Sequence, residues 1–338
     1  MKHIGKLLAL LAVTASCEIP FDIKQSGEDR IYVQCVADGG TVSITTHYAR
    51  AVNSSHKAAP QTEIDLKVDG QSVALTRESD SRSSTAWLDI KEGARIEVSV
   101  RADGVNPATG ATTVPPKPHI TDITWERIQV DTIDAVQVNI SLDHSPADDE
   151  HFGIRILQRN DVVYADGSTK ALLGYLTPGY VLTAADSGGM DLEDFIQINF
   201  DGKYLGGPDY EPLTLVGKKQ FNGQVYSFYI NSFDSAILDR LRDRLPDGGS
   251  DGKEKPETGT PDPGTIPVSV KTTYVFTLYS LSPEFQRYAT ALYRSNFDFL
   301  ANMGLIPANF TWSNMEGGLG FTGAVNGAIR GPYELPTP

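Results

Sequence analysis

The chain has 338 residues, long enough for two domains that each bury a core, and its hydrophobic (40%) and charged (21%) fractions are ordinary for a globular protein. Its formal net charge is −14. That balance argues against nucleic acid as a partner and against electrostatic docking on anionic lipid headgroups.

Residues 1–17 read MKHIGKLLALLAVTASC. Lys2 and Lys6 give a positive start, 7–13 are apolar, and Thr14, Ala15 and Ser16 lead into Cys17. This is the layout of a secretory signal, and its apolar run is far shorter than the roughly 20 residues of a spanning helix. Small residues ending in cysteine resemble a bacterial lipobox, in which Cys17 is acylated and becomes the new N-terminus. Two or more acyl chains hold a protein on a bilayer where one does not. An ordinary signal peptide with an incidental cysteine is the alternative. It is disfavoured because no A-x-A site competes and Cys17 has no evident disulfide partner. The other cysteine, Cys35, lies in an apolar run and reads as a small core side chain.

Residues 17–30 are polar and read as a tether. From 31 onward come short runs, IYVQCVA, TVSITTHY, EIDLKVDG, QSVALT and RIEVSV, several alternating apolar and polar residues with period two. Asp69-Gly70 between two of them signals a hairpin. Strands at this spacing predict an immunoglobulin-like β-sandwich over 31–117. The prolines of TVPPKP (113–118) cannot continue a ladder, which places a boundary there.

A second β-rich domain, 118–338, opens with ITDITWERIQV, AVQVNISL, FGIRILQR and DFIQINF, followed by FNGQVYSFYI. Phe233, Ile237, Leu238, Leu241 and Leu245 share one helical face, and Pro246 ends that helix. Residues 247–264, nearly devoid of large apolar side chains, predict a flexible acidic loop. A strand over 269–279 precedes Ser282-Pro283-Glu284, a helix start with a hydroxyl cap, proline at the first position and an acid in the first turn. Phe285, Tyr288, Ala289 and Leu292 continue an amphipathic stripe. The run NMEGGLGFTGAVNGAIRG reads as a closing strand or hairpin. The predicted fold is therefore mainly β, a sandwich followed by a β-rich domain carrying two amphipathic helices.

Catalytic patterns are sparse. Gly248 to Gly252 fits the letters of G-x-S-x-G, but Ser250 falls in the acidic loop, without the strand and helix of a nucleophile elbow. The histidines show no metal-ligand spacing beyond the loose pair His144 and His151. Asp143, Asp148, Asp149 and Glu150 form one acidic cluster, and Asp186, Asp191, Glu193 and Asp194 a second; both read as solvated loop charge rather than calcium ligands. Trp87, Trp125 and Trp312 are candidates for a stacking platform, with core anchoring the commoner role.

SCEIPFD, IYVQCVA, EGARIEVSVRADGVNPATGATTVPPKP, FNGQVYSFYI, VFTLYSLSPEFQRYATAL and above all SNMEGGLGFTGA resemble the Bacteroidota outer-membrane lipoproteins grouped as domain of unknown function 4249. The likeness covers nearly all of the chain after Cys17. It implies an accessory lipoprotein of a TonB-dependent uptake system, anchored to the outer membrane through Cys17, without catalytic residues, cofactor or metal. A tryptophan platform would take an oligosaccharide or peptide as ligand, with Trp312, beside the closing motif, as the candidate contact. Both faces of the outer membrane are compatible with it. A structural or adhesive envelope subunit, and a surface hydrolase of polysaccharide or peptide, are the alternatives.

Overall fold

A computed structural model describes residues 29–49, 61–77, 82–130, 132–180, 196–199, 212–231, 233–243, 266–296 and 312–336. The chain is mainly β. Its N-terminal part supplies β1 (Arg30–Asp38), β2 (Thr41–Ala49), β3 (Thr62–Val68), β4 (Gln71–Val73), β5 (Thr76–Arg77), β6 (Ser83–Trp87), β7 (Arg95–Ala102) and β8 (Val105–Thr113). Next come β9 (Ile120–Val130), β10 (Ile133–Leu142), β11 (His151–Tyr164), β12 (Thr169–Leu176) and β13 (Gly179–Tyr180). After these lie β14 (Gln197–Asn199), β15 (Pro212–Val216), β16 (Phe221–Asn222), β17 (Val225–Ile230), helix α1 (Asp234–Asp243), β18 (Pro267–Leu281), helix α2 (Pro283–Asn296) and β19 (Leu319–Tyr333).

The two helices stand where the apolar spacing places them. The Asp69-Gly70 turn joins β3 to β4 with φ of 50° and 77°, the left-handed pair a two-residue hairpin requires. The closing run is a single strand, β19, rather than a hairpin.

One ten-stranded sheet dominates, in the order β14-β15-β11-β18-β19-β1-β2-β6-β5 with β12 against β11. A four-stranded sheet (β4-β3-β7-β8) and a five-stranded sheet (β13-β17-β10-β9, with β16 on β17) complete the set among the described residues. Period-two alternation decides which face each side chain buries. Val33, Cys35 and Ala37 of β1 meet Ile96, Val98 and Val100 of β7 in a first core, forming a β-sandwich. Cys35 is fully buried there, and burial pushes its thiol up to about 12. Tyr274, Phe276 and Leu278 of β18 meet Val136, Val138 and Phe228 in a second core against the five-stranded sheet. Tyr279 and Leu281, on the opposite face of β18, join Phe285, Tyr288 and Ala289 of α2 in a third cluster.

The proline segment does leave the sheets, since 114–119 carry no strand. The ten-stranded sheet nevertheless draws strands from both sides of it. β19 runs antiparallel to β18 and parallel to β1, pairing Val33 with Gly320 and Cys35 with Thr322. Side chains reinforce this seam. Asn314 donates to the carbonyls of Ala111 (3.3 Å) and Thr322 (2.9 Å) and accepts from the Thr322 N–H (2.9 Å). Asn326 donates to the Pro115 carbonyl at 3.1 Å, and Arg330 to that of Ile120 at 2.9 Å. Buried Ser282 caps α2 by accepting from the Phe285 N–H at 3.2 Å and from the Ala324 N–H of β19 at 3.1 Å.

Glycine is obligatory at the start of β19. Gly320 has φ +100°, and a Cβ there would run into the Val33 carbonyl oxygen of β1. Gly320→Ala is therefore expected to cost more than about 3 kcal/mol in denaturant unfolding, combining backbone strain with a clash in the sheet. Gly174→Ala, in open space on β12, serves as the control and should change stability by less than about 1 kcal/mol. Equal effects at the two sites would contradict the packing of β19 described here.

Candidate functional site

A cavity of about 540 Å3 opens where β11, β15 and α2 meet. Its floor is apolar: Phe152 from the start of β11, Ile196, and Leu215 and Val216 at the end of β15, all buried. β15 can supply these because all five residues of PLTLV are buried, as expected of a strand covered on both faces. One wall is the turn after β15. There the Gly217 N–H donates to the Gln220 side chain at 2.7 Å, and the Gln220 N–H to the Gly217 carbonyl at 3.0 Å. This fixes Lys218 and Lys219 at the rim. The facing wall is α2, where Gln286 donates to the Thr290 hydroxyl at 3.2 Å, one helical turn on. Asp148 and His151 complete the lining.

Asp148 accepts from Lys218 Nζ at 2.6 Å, and that bond holds its carboxyl below the usual range. Burial pushes the His151 imidazole down, with Asp149 opposing the effect and Arg287 adding to it. Ammonium, imidazole, amide and hydroxyl groups thus ring an apolar floor, an arrangement suited to holding a small molecule by one polar end.

A second, shallower groove of about 360 Å3 crosses the outer face of the four-stranded sheet. Its charges are largely self-paired: Arg95 Nε with Glu97 at 2.9 Å, and Lys67 with Asp65 at 3.8 Å.

Asp143, Asp148 and Glu150 of the first acidic cluster each have a basic side chain as partner. His144 is clamped between Asp143 (Nδ1 to Oδ1, 2.7 Å) and Glu150 (Nε2 to Oε1, 3.0 Å). His119 reaches Asp143 at 3.4 Å, and Glu150 also accepts the Ala147 N–H at 2.7 Å. His144 and His151 therefore serve different places: one staples the loop before β11, the other lines the cavity. Among the described residues, no group of three or more metal-ligating side chains gathers. The second acidic cluster, Ser250, the acidic loop 247–264 and Cys17 lie outside the described residues.

The tryptophans do not form one platform. Trp312 is half-buried and packs against the third cluster, as Leu292 and Tyr293 do. Trp125 meets the Tyr333 ring at 5.5 Å, and Trp87 stands 79% exposed at the end of β6. The cavity residues Lys218, Lys219, Gln286 and Thr290 carry no sequence pattern that singles them out. The only local hint is the turn-forming Gly217 between an apolar run and two lysines.

The pKa values of the two histidines are shifted in opposite directions. Hydrogen bonds that His144 donates to Asp143 and then to Glu150 raise its pKa, so the stabilisation it contributes is complete below about pH 6.5 and is lost as pH rises through the raised value. Asp143, lowered chiefly by its bond to His144, contributes above the ordinary carboxylate range and loses that contribution in acid. An NMR titration of the ring protons should place His144 above about 6.5 and His151 below it, with Glu150→Gln lowering the His144 midpoint. Coincident midpoints would show that the clamp does not form.

No curated protein matches the chain by sequence. Among solved structures, the Yersinia pseudotuberculosis adhesin InvE is similar at 10% identity and a TM-score of 0.17, over 75% of this chain and 56% of that one. The chain thus spans little more than half the length of that protein. A family match is more extensive, running over residues 17–328, and its closing part includes the glycine-bearing start of β19. The chain belongs to the family described as domain of unknown function DUF4249.

Proposed function

We propose that this protein is a lipid-anchored binding protein of the outer membrane, acting beside a TonB-dependent nutrient transporter and binding its ligand without turning it over. The observation that carries the binding reading is the cavity between β11, β15 and α2, whose volume of about 540 Å3 lies within the roughly 300–1,000 Å3 of small-molecule sites. Asp148, the carboxylate in its described lining, is engaged by Lys218. Glycoside hydrolysis instead asks for two carboxyl groups facing each other across the substrate.

The anchor is supported by Cys17 at the end of the small-residue run, and by a family match that begins at residue 17, where the lipobox places the mature start. An accessory role beside a transporter is what the resemblance to outer-membrane lipoproteins implies. In that role the acyl chains hold the protein at the bilayer and the folded part presents its site next to the transporter.

Detergent phase partition of cell envelopes tests the anchor. The wild type should enter the detergent phase and carry a transporter with it on affinity purification, whereas Cys17→Ala should remain unacylated, unprocessed at residue 17 and aqueous. Equal partition of the two proteins would overturn the anchored reading.

A further inference from the structure

We propose that the outer face of the five-stranded sheet is a second binding surface, one that takes a neutral pyranose oligosaccharide stacked on Tyr229. The face is built by register. Glu126 of β9 stands opposite Gln137 of β10, which stands opposite Tyr229 of β17. Thr124, Asn139 and Ser227 form the next row, two residues along each strand. Val136, Val138 and Phe228 alternate with residues of these rows and fill the second core, so the six side chains lie on the opposite face. With strands about 4.8 Å apart, each row spans roughly 10 Å, the scale of a disaccharide.

Tyr229 lies flat on the sheet. Gly179 of β13 is its register partner, and a Cβ there would run into the Tyr229 ring, almost equally close to Cζ, Cε1 and Cε2. The face of the ring, not its edge, therefore covers the glycine, and the other face is turned outward. Tyr229 is half-buried, as that placement requires. Laying an aromatic over a glycine also steadies a sheet. Here, however, the ring borders polar groups that are already held in place. Gln137 Nε2 donates to Asn139 Oδ1 at 2.9 Å, and the Ser227 hydroxyl to the same oxygen at 2.6 Å. The bond between the amides uses one end of each. Their other ends, an acceptor on Gln137 and a donor on Asn139, remain to meet a ligand.

Charge and hydrogen-bonding capacity set the ligand class. Glu126, which is exposed, is the one charged group in the two rows, so the surface accepts hydroxyl donors and repels an anion. Amide donor, amide acceptor and the Thr124 and Ser227 hydroxyls match groups that both give and take hydrogen bonds, as adjacent sugar hydroxyls do. The C–H face of a pyranose suits the electron-rich face of the tyrosine ring. An extended peptide would instead pair with an open sheet edge. None of these six residues lines the cavity between β11, β15 and α2, so the two readings stand or fall separately.

Saturation-transfer NMR and calorimetry on the folded mature protein test this. The probes are trimers of glucose, galactose and mannose, the corresponding uronic acid trimers, and trialanine. At least one neutral trimer should bind, with an affinity that holds between about 0.05 and about 0.5 M salt. Tyr229→Leu keeps an apolar side chain over Gly179 but removes the ring face, and should weaken that binding about tenfold or more with an unchanged circular dichroism spectrum. Gln137→Ala, which leaves Tyr229 in place, should weaken it several-fold and serves if the leucine variant does not fold. The wild type should prefer the neutral trimer to its uronic acid counterpart, and Glu126→Gln should erase that preference. Binding undiminished in both Tyr229→Leu and Gln137→Ala would put the sugar elsewhere and overturn the site. Tighter binding of the acidic trimers, or of trialanine, would overturn the ligand class. Silence from every sugar would overturn the proposal outright.

Discussion

β19 can lie beside β1 only because residue 320 has no side chain. The Val33 carbonyl occupies the space a Cβ would need, and the φ of +100° belongs to the region that glycine alone enters readily. Gly317 and Gly318 face similar limits against Pro107 and Ala108 of β8, where Thr109 and Glu316 exchange backbone hydrogen bonds of 2.9 and 2.7 Å. With these glycines in place, the chain enters between β1 and β18 and completes the ten-stranded sheet. One face of that sheet then serves two cores: Ala324 packs into the first and Ala328, two alternations further along β19, into the second.

The candidate site inherits its position from that seam. Ser282 is the pivot, since its N–H donates to the Ala324 carbonyl at 2.8 Å while its hydroxyl caps α2. The helix is thereby aimed across the sheet, and Tyr288 stacks on Phe321 of β19 with ring centroids 3.7 Å apart. The Tyr288 hydroxyl meets that of Tyr32 on β1 at 2.8 Å. The wall carrying Gln286 and Thr290 is thus set by contacts to β1 and β19, and the floor by the register of β11 against β15. A binding surface built this way sits on rigid elements, which suits recognition with little rearrangement.

Much of this was legible in the residues, and the parts that were not have a physical reason. Alternation in RIEVSV and in the first part of IYVQCVA identifies β7 and β1, and it breaks at Val36 because the end of β1 is covered on both faces. Asp69-Gly70 and Ser282-Pro283-Glu284 announce their turn and helix through local backbone chemistry. β19 was legible as a strand, but its parallel partner β1 lies almost 300 residues earlier, and no local pattern encodes a non-local pairing. The cavity was invisible for the same reason: Phe152, Lys218 and Thr290 come from three separate elements, and neither lysine nor threonine is unusual in a surface turn or helix. The acidic cluster at 143–150 could be seen with His144 inside it, whereas its pairing with His119 and Lys218 depends on tertiary placement.

Native-state hydrogen exchange tests the central claim, that β19 joins the molecule into one cooperative unit. The slowest amides of the first core, such as Val33 and Val98, and of the second, such as Ile156 and Phe276, should then open with a common free energy and a common denaturant dependence, because each core needs the shared sheet. A first core that opens at a distinctly lower free energy, while β10, β11 and β18 stay protected, would contradict it and show two units that merely touch.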